Sequence, residues 1–237
     1  MDTPTKEDFL SGQILLIDKP LTWSSFQAVN KLKWAIRKKF KLKKIKIGHA
    51  GTLDPLATGL LIICCGKFTK KIPELQGQAK EYTGTITLGA TTPSYDLETA
   101  VDQTFPTEHI KEQMILDATQ SFVGDIEQKP PVFSALKKNG KRLYEYARAG
   151  KEVEIKSRTV TITDFEITNI KMPHVEFRVQ CSKGTYIRSL AHDLGLKLAS
   201  GAHLTALRRT KIGEFNVNKA LDPNTFAKNL LGEPDEL

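Results

Sequence analysis

Strand and helix patterns mix along this chain without strict alternation, and this order limits the possible folds more than any other feature. Strands are predicted where apolar residues run together or alternate with polar ones, at residues 14–17, 60–65, 81–88, 159–170, 174–181 and 203–210. Helices are predicted from near-helical apolar spacing at residues 24–36, 107–122, 142–148 and 187–199. A doubly wound parallel sheet would require regular alternation. We therefore expect an α+β fold with a mixed, largely antiparallel sheet flanked by helices.

The length and composition indicate a globular protein with one domain. The chain has 237 residues, 40% hydrophobic and 26% charged, with no repeat, low-complexity linker or break in composition. Its longest apolar run, Leu60 to Cys65, has six residues, whereas a membrane-spanning helix needs about 20. The polar start of the chain lacks the apolar stretch of a secretory signal. We expect a single domain over residues 1–237, no membrane contact and a cytoplasmic location.

The cysteines give no sign of a metal or redox site. Cys64, Cys65 and Cys181 are odd in number, and none has the spacing of a C-x-x-C motif or a zinc ligand set. We interpret them as reduced, small apolar residues, and we expect no bound metal.

The net charge of +8 is concentrated in one segment. Seven of the ten residues from Arg37 to Lys46 are cationic, and Phe40, Leu42 and Ile45 lie between them. Such a run fits a nucleic-acid surface, a solubilising face or an anionic membrane. A second cationic group at Arg208 and Arg209 favours an extended polyanion over a small ligand. The candidate contacts to a phosphate backbone are Lys43, Lys44, Lys46, Arg208 and Arg209.

The segment from Gly48 to Leu61 is the strongest candidate for a catalytic site. It places His49 and Asp54 among three glycines, which permit tight turns and a close approach to a ligand. Asp54 precedes Pro55, which disfavours helical backbone at the aspartate. An acid/base or nucleophilic site fits this pattern, and so does an aspartate that only stabilises a turn.

This segment resembles the catalytic motif of the bacterial tRNA pseudouridine synthase B family. The matching residues from 48 to 59 read Gly-His-Ala-Gly-Thr-Leu-Asp-Pro-Leu-Ala-Thr-Gly. Further similar segments lie at residues 80–82, 181–188, 201–204 and 207–209, and in a thumb insertion at residues 124–128 and 134–137. The resemblance covers roughly residues 14 to 215. It implies a pseudouridine synthase fold with an RNA-contacting thumb at approximately residues 124–150.

The resemblance implies an isomerase that converts uridine 55 in the T loop of tRNA to pseudouridine. This reaction breaks the N-glycosidic bond, turns the base and joins the sugar to a base carbon, so no cofactor is expected. The implied catalytic residues are Asp54, Tyr82 and Arg188, with Asp54 attacking the sugar or acting in a glycal route. Tyr186 and Arg188 are two positions apart, so both face one way if the segment is extended. Arg188 is then expected to keep Asp54 ionised.

The remaining implied residues bind the substrate, and several of the implied residues also fit an ordinary structural position. His49 resembles the residue that holds the flipped-out RNA, but it also fits an ordinary loop histidine. Tyr82 and Leu207 fit plain core positions as well, and Lys80 fits an exposed charge on an edge strand. Asp96 matches an acidic position that orients Arg188 or the tyrosine. The expected substrate-binding residues are His49, Tyr186, Leu207, Lys80, Lys19 and Asp96.

The chain departs from the family pattern at a few positions. Thr22 stands where a glycine is usual, Ala50 where threonine is frequent, and Pro93 where aspartate is common. Only about 22 residues follow Phe215, which is too few for the C-terminal RNA-binding PUA domain of many relatives. We expect a monomer without that domain. Its basic run, its thumb and the arginines Arg208 and Arg209 are expected to hold the T arm of tRNA. A tRNA-folding chaperone and an RNA glycosidase are the alternatives.

Overall fold

A computed structural model describes residues 4–134, 136–138, 140–151 and 153–232. The helices are α1 (Lys6–Ser11), α2 (Ser25–Phe40), α3 (Ile72–Gly77), α4 (Glu112–Gln120), α5 (Leu143–Arg148), α6 (Ile187–Lys197) and α7 (Pro223–Leu231). The strands are β1 (Gln13–Lys19), β2 (Ile47–His49), β3 (Ala57–Cys65), β4 (Lys80–Leu88), β5 (Ala90–Thr91), β6 (Gln103–Thr104), β7 (Gly124–Gln128), β8 (Lys137–Lys138), β9 (Lys141–Arg142), β10 (Arg158–Lys171), β11 (His174–Cys181), β12 (Ala202–Ile212) and β13 (Phe215–Asn216).

The chain divides into two compact units. The first comprises Met1–Glu81 and Arg208–Leu237, and the second comprises Tyr82–Leu207. The boundaries fall inside β4 and β12, so each of these strands contributes residues to both units. The expectation of one domain over the whole chain is not tested by this division and stays a prediction.

In the first unit, β3 is buried on both of its faces. It pairs antiparallel with β1, from Gln13 opposite Cys65 to Lys19 opposite Gly59. Leu61, Ile63 and Cys65 pack with α2 and α7. The alternate side chains of β3 pack with α3 and β12, and these are Leu60, Ile62 and Cys64. Burial on both faces explains why this strand is a continuous apolar run rather than an alternating one.

In the second unit, the sheet order is β12-β4-β11-β10-β7. Strands β10 and β11 form a long antiparallel hairpin, and β7 pairs antiparallel with β10. Phe165 and Phe177 meet edge to face in its core. The prediction of a largely antiparallel sheet with flanking helices is therefore confirmed.

Helix α2 confirms one sequence prediction and corrects a detail of it. Ser24 caps the helix, because its side chain accepts a hydrogen bond from the backbone N–H of Gln27. Val29, Leu32 and Ile36 are buried as the spacing predicts. The same apolar spacing also predicts Phe26 on this face, but Phe26 is 69% exposed. The buried stripe instead begins at Ser25, whose hydroxyl bonds to Leu53.

The start of α4 differs from its prediction. The helix expected from Thr107 begins only at Glu112, because residues 107–110 form a turn in which the N–H of Ile110 bonds to the carbonyl of Thr107. In the predicted thumb, β8 and β9 pair antiparallel and α5 follows. Ala135, which belongs to one thumb motif, lies outside the described residues.

The unusual threonine at position 22 takes the backbone conformation that a glycine would favour. Its φ is 68°, in the left-handed region. Its N–H donates to the carbonyl of Pro55. The turn before α2 therefore keeps this conformation despite the substitution.

The cysteines have the buried positions expected of small apolar residues. All three cysteines are buried, and burial raises the pKa of the Cys65 thiol to about 12. Among the helices that the structure describes, none combines the length and the apolar character needed to cross a bilayer.

Candidate active site

The glycine-rich segment forms the loop between β2 and β3 and is held from several sides. Ser25 is buried in α2, and its hydroxyl donates to the carbonyl of Leu53 and accepts from the N–H of the same residue. The N–H of Ala57 donates to the carbonyl of Asp54 at 3.0 Å. Leu53 is buried and Asp54 is half-buried. The backbone on both sides of Asp54 is thus fixed while its side chain stays partly accessible.

Arg209 ties this loop to strand β12. Its guanidinium donates from Nε to the carbonyl of Leu60 at 2.8 Å and from Nη2 to the carbonyl of Gly51 at 3.0 Å. Only 1% of the residue is exposed. A buried guanidinium offers no surface to a phosphate, so the predicted contact of Arg209 with an RNA backbone does not fit its position. Its observed bonds hold the loop.

Lys19 is a buried cation of the first unit that interacts with the charge of Asp54. Lys19 is fully buried, and its ammonium donates to the carbonyls of Trp23 at 2.6 Å and Pro20 at 3.0 Å. Burial lowers the pKa of Lys19 from 10.5 to about 8, the charge of Asp54 raises it, and the charge of Arg209 lowers it. Burial also lowers the pKa of His49, as does Arg209, so its imidazole is mainly neutral at pH 7.

The depressed pKa of Lys19 predicts a pH-dependent stability. Unfolded Lys19 keeps its proton up to about pH 10.5 and folded Lys19 only up to about pH 8, so unfolding takes up a proton between these values. The free energy of unfolding should therefore rise with pH through this window, by at most about 1.4 kcal/mol per pH unit relative to Lys19→Met. Denaturant titrations of both proteins from pH 7 to 10.5 measure this, and Lys39→Met controls for loss of an exposed charge. A pH-independent difference would contradict it.

Lys80 lies in the first unit at the start of β4 and is only 7% exposed. Its ammonium donates to the backbone carbonyls of Gln76 and Gln78. The reading of Lys80 as an exposed edge charge is therefore wrong, because β4 lies inside the sheet. Tyr82 follows on the same strand, in the second unit, and is 9% exposed.

In the second unit, Arg188 and Asp96 form a buried pair. Nε of Arg188 lies 3.5 Å from Oδ2 of Asp96, and Nη1 of Arg188 donates to the carbonyl of Ser94 at 3.1 Å. The other oxygen of Asp96 accepts from the N–H of Glu98. The structure thus brings together the arginine and the acidic residue that the resemblance expected to orient it.

Arg188 reaches this position from a helix and not from a strand. It is the second residue of α6, and Tyr186 is the N-cap of that helix. The helix predicted from residue 187 is therefore confirmed, and the extended segment in which Tyr186 and Arg188 would face one way is not formed. Gln128 fixes the backbone of Tyr186 by donating to its carbonyl and accepting from its N–H, and the guanidinium of Arg158 lies 4.8 Å from the centre of its ring.

A stacked pair beside Asp96 was not found from the sequence. Tyr95 has a left-handed φ of 64°, and its ring stacks on His192 with centroids 3.9 Å apart. The N–H of Leu204 donates to the carbonyl of Tyr95. Burial lowers the pKa of His192 and raises that of Asp193 to about 6. Composition and spacing carry no signal for a tyrosine in this conformation, so motif analysis could not find the pair.

The basic run has the arrangement that its sequence predicts. Lys43, Lys44 and Lys46 are exposed, while Ile45 is buried and Leu42 packs on the core of the first unit. Arg208 is 41% exposed at its side chain and makes two hydrogen bonds to Asp18, at 2.6 and 3.0 Å. Leu207 is half-buried in β12.

The candidate residues fall into two groups. Lys19, His49, Asp54, Lys80, Arg208 and Arg209 belong to the first unit, and Tyr82, Asp96, Tyr186, Arg188 and Leu207 belong to the second. Over the part of the chain that the structure describes, no three His, Cys, Asp or Glu side chains are grouped to hold a metal ion.

Solved structures with a similar fold include a Cbf5-Nop10-Gar1 complex, with a TM-score of 0.67 and 31% identity over 90% of this chain. An H/ACA RNP bound to a substrate RNA containing 2′-deoxyuridine gives a TM-score of 0.62 and 29% identity over 88% of this chain. This chain spans about half the length of those two chains, 52% and 49%.

Curated relatives match over nearly the whole chain. tRNA pseudouridine synthase B of Flavobacterium johnsoniae is 67% identical over 95% of this chain and 99% of its own length. The protein of the same name from Parabacteroides distasonis is 54% identical over 91% of this chain and 92% of its own. The family model of the TruB pseudouridylate synthase N-terminal domain matches residues 37–187, and that of the tRNA pseudouridylate synthase B C-terminal domain matches residues 188–233. The chain therefore belongs to the TruB family of pseudouridylate synthases.

Proposed function

We propose that this chain isomerises uridine 55 in the T loop of tRNA to pseudouridine. The observation that carries the proposal is the loop of Asp54, which Ser25 and Arg209 fix from two sides and which lies in the positive field of Lys19. A half-buried carboxylate on a fixed loop, next to a cation, is suited to act on an electron-poor sugar carbon. The names of the curated relatives support tRNA as the substrate.

The reaction balances within the nucleotide. The bond from C1′ to N1 breaks, the base turns, and a bond from C1′ to C5 forms, while C5 loses a proton and N1 gains one. The carboxylate of Asp54 either attacks C1′ or assists loss of a sugar proton in the glycal route, and both routes need it ionised. Neither route consumes a cofactor or a metal ion.

The other residues position the substrate in this proposal. Arg188 acts as a catalytic residue, as the resemblance implies, and Asp96 holds it through the buried pair. Tyr82 offers the flipped base a ring to stack on and a phenol for proton transfer. Neutral His49 holds the displaced RNA. The further substrate-binding residues in this proposal are Lys19 and Lys80 in the first unit and Tyr186 and Leu207 in the second.

Incubation with an unmodified tRNA transcript, without added metal or nucleotide, tests the proposal. Chemical mapping should locate pseudouridine at position 55, and chromatography should find no free uracil. Release of uracil would instead indicate an RNA glycosidase. Tight binding without any product would indicate the chaperone.

The basic run is proposed to contact the phosphate backbone of tRNA. Replacing Lys43, Lys44 and Lys46 together by alanine should weaken tRNA binding at least about tenfold at 0.1 M salt and lower the slope of log affinity against log salt by about three. Filter binding at several salt concentrations measures both quantities. The matched control replaces three exposed lysines elsewhere, Lys67, Lys171 and Lys219. Equal slopes for the two triple variants would remove the basic run from the RNA interface.

A further inference from the structure

Helix α2 carries a groove on its outer side that the proposed mechanism does not use. Its volume is about 540 Å³, which is within the range of small-ligand sites. Six lining residues follow the spacing i, i+3, i+4, i+7, i+8 and i+11, so they form one stripe along the helix. They are Asn30, Lys33, Trp34, Arg37, Lys38 and Lys41.

The charge of the groove favours an anionic occupant. Four of these six residues are cationic, and none of the described lining residues is acidic. The sequence between Asp18 and Asp54 contains ten Lys and Arg and no Asp or Glu. Arg37 is anchored at the helix end, because its Nε donates to the carbonyl of Leu42 at 3.2 Å. This face thus presents four positive charges, and that of Arg37 is anchored.

The exposed ring of Trp34 indicates which class of anion fits the groove. Its side chain lies in the middle of the stripe, and 47% of it is exposed. The ammonium groups of Lys31 and Lys38 lie 5.1 and 4.9 Å from the centre of its ring. An acidic peptide would engage the cations but would leave the indole without a partner. A nucleotide uses both, because its base stacks on the ring and its phosphates meet the cations.

We propose that the α2 groove binds an unpaired nucleotide of an RNA chain, with the base on Trp34 and the flanking phosphates on Lys33, Arg37 and Lys41. The lysine side chains over the indole are flexible and held by weak contacts at an exposed site, so one of them moves aside for the base. The inference rests on the proposed function only in taking the substrate tRNA as the RNA. It adds a stacking site on α2 to the contacts proposed for the basic run.

Fluorescence of Trp34 tests the inference directly. The chain has two tryptophans, and Trp23→Phe leaves Trp34 as the only emitter. Titration with an unmodified tRNA transcript, and separately with a ten-nucleotide single-stranded RNA, should quench this emission. Trp34→Ala should weaken binding of the transcript about tenfold, and Trp34→Phe should recover most of that loss. Lys33→Ala should lower the salt slope by about one.

Phe26→Ala is the matched control, since Phe26 is an exposed aromatic on the same helix but outside the groove lining. It should leave binding unchanged. Absence of quenching, equal losses in Trp34→Ala and Phe26→Ala, or stronger quenching by octaglutamate than by RNA would each overturn the inference. Quenching without any formation of pseudouridine would reject the proposed function and support the nucleotide site in the groove. Pseudouridine formation without quenching would support the proposed function and reject the nucleotide site in the groove.

Discussion

Asp54→Asn is expected to lower pseudouridine formation in tRNA at least about a thousandfold while tRNA affinity stays within about twofold of wild type. The amide keeps the size of the side chain but removes the charge that either route needs. The contacts that the loop makes through the backbone of Asp54 and the side chains of Ser25 and Arg209 remain available in this variant. Single-turnover mapping and filter binding measure the two effects.

Asp117→Asn is the matched control for this variant. Asp117 is an exposed carboxylate on α4 whose side chain accepts from Gln113, and its loss should leave both quantities unchanged. Normal product formation by Asp54→Asn would exclude Asp54 as the catalytic residue. Equal loss of binding and product would instead assign it to substrate binding.

Gly59→Ala is expected to lower the free energy of unfolding by about 3 kcal/mol or more. Gly59 has a φ of 104°, and a Cβ there would lie 2.3 Å from the backbone oxygen of Arg209. The obstacle is backbone rather than a flexible side chain, so β3 and β12 would have to separate locally. Chemical denaturation monitored by circular dichroism measures the change.

Gly77→Ala provides the contrast. Gly77 is the last residue of α3, and a Cβ there would meet no described atom within 4 Å. This change should be neutral or raise stability by up to about 1 kcal/mol, because alanine has less freedom in the unfolded chain. A loss under 1 kcal/mol for Gly59→Ala would show that the two strands are not held this closely.

Local sequence patterns predicted most of the elements because each element follows its own periodicity. The apolar run of β3 and the capped, periodic stretch of α2 are examples. Phe26 was misplaced because the first turn of α2 turns Ser25, not Phe26, toward the loop. Helix α7 begins with an Asp222 cap and a proline, a signal that the sequence analysis left unused.

The candidate site was only partly predictable, because motif residues show which side chains matter but not what surrounds them. The resemblance indicated Asp54 and Arg188, and the structure supplies the Asp96 partner of Arg188 as expected. For other candidate residues, the extent of burial in the fold determines whether the side chain can reach an RNA. Arg209 looks like a surface cation in sequence and is an internal anchor in the fold. Its partners are carbonyl groups, and no sequence pattern records which carbonyl an arginine will meet.

The bonds from Arg209 to the motif loop also affect the order in which the site forms during synthesis. Leu60 and Arg209 are separated by 149 positions, so the ribosome makes the loop of Asp54 long before its anchor. A nascent chain that stops ahead of Arg209 holds the whole motif but lacks the guanidinium that fixes it. The loop of Asp54 is thus made early in translation, and it gains this anchor only near the end.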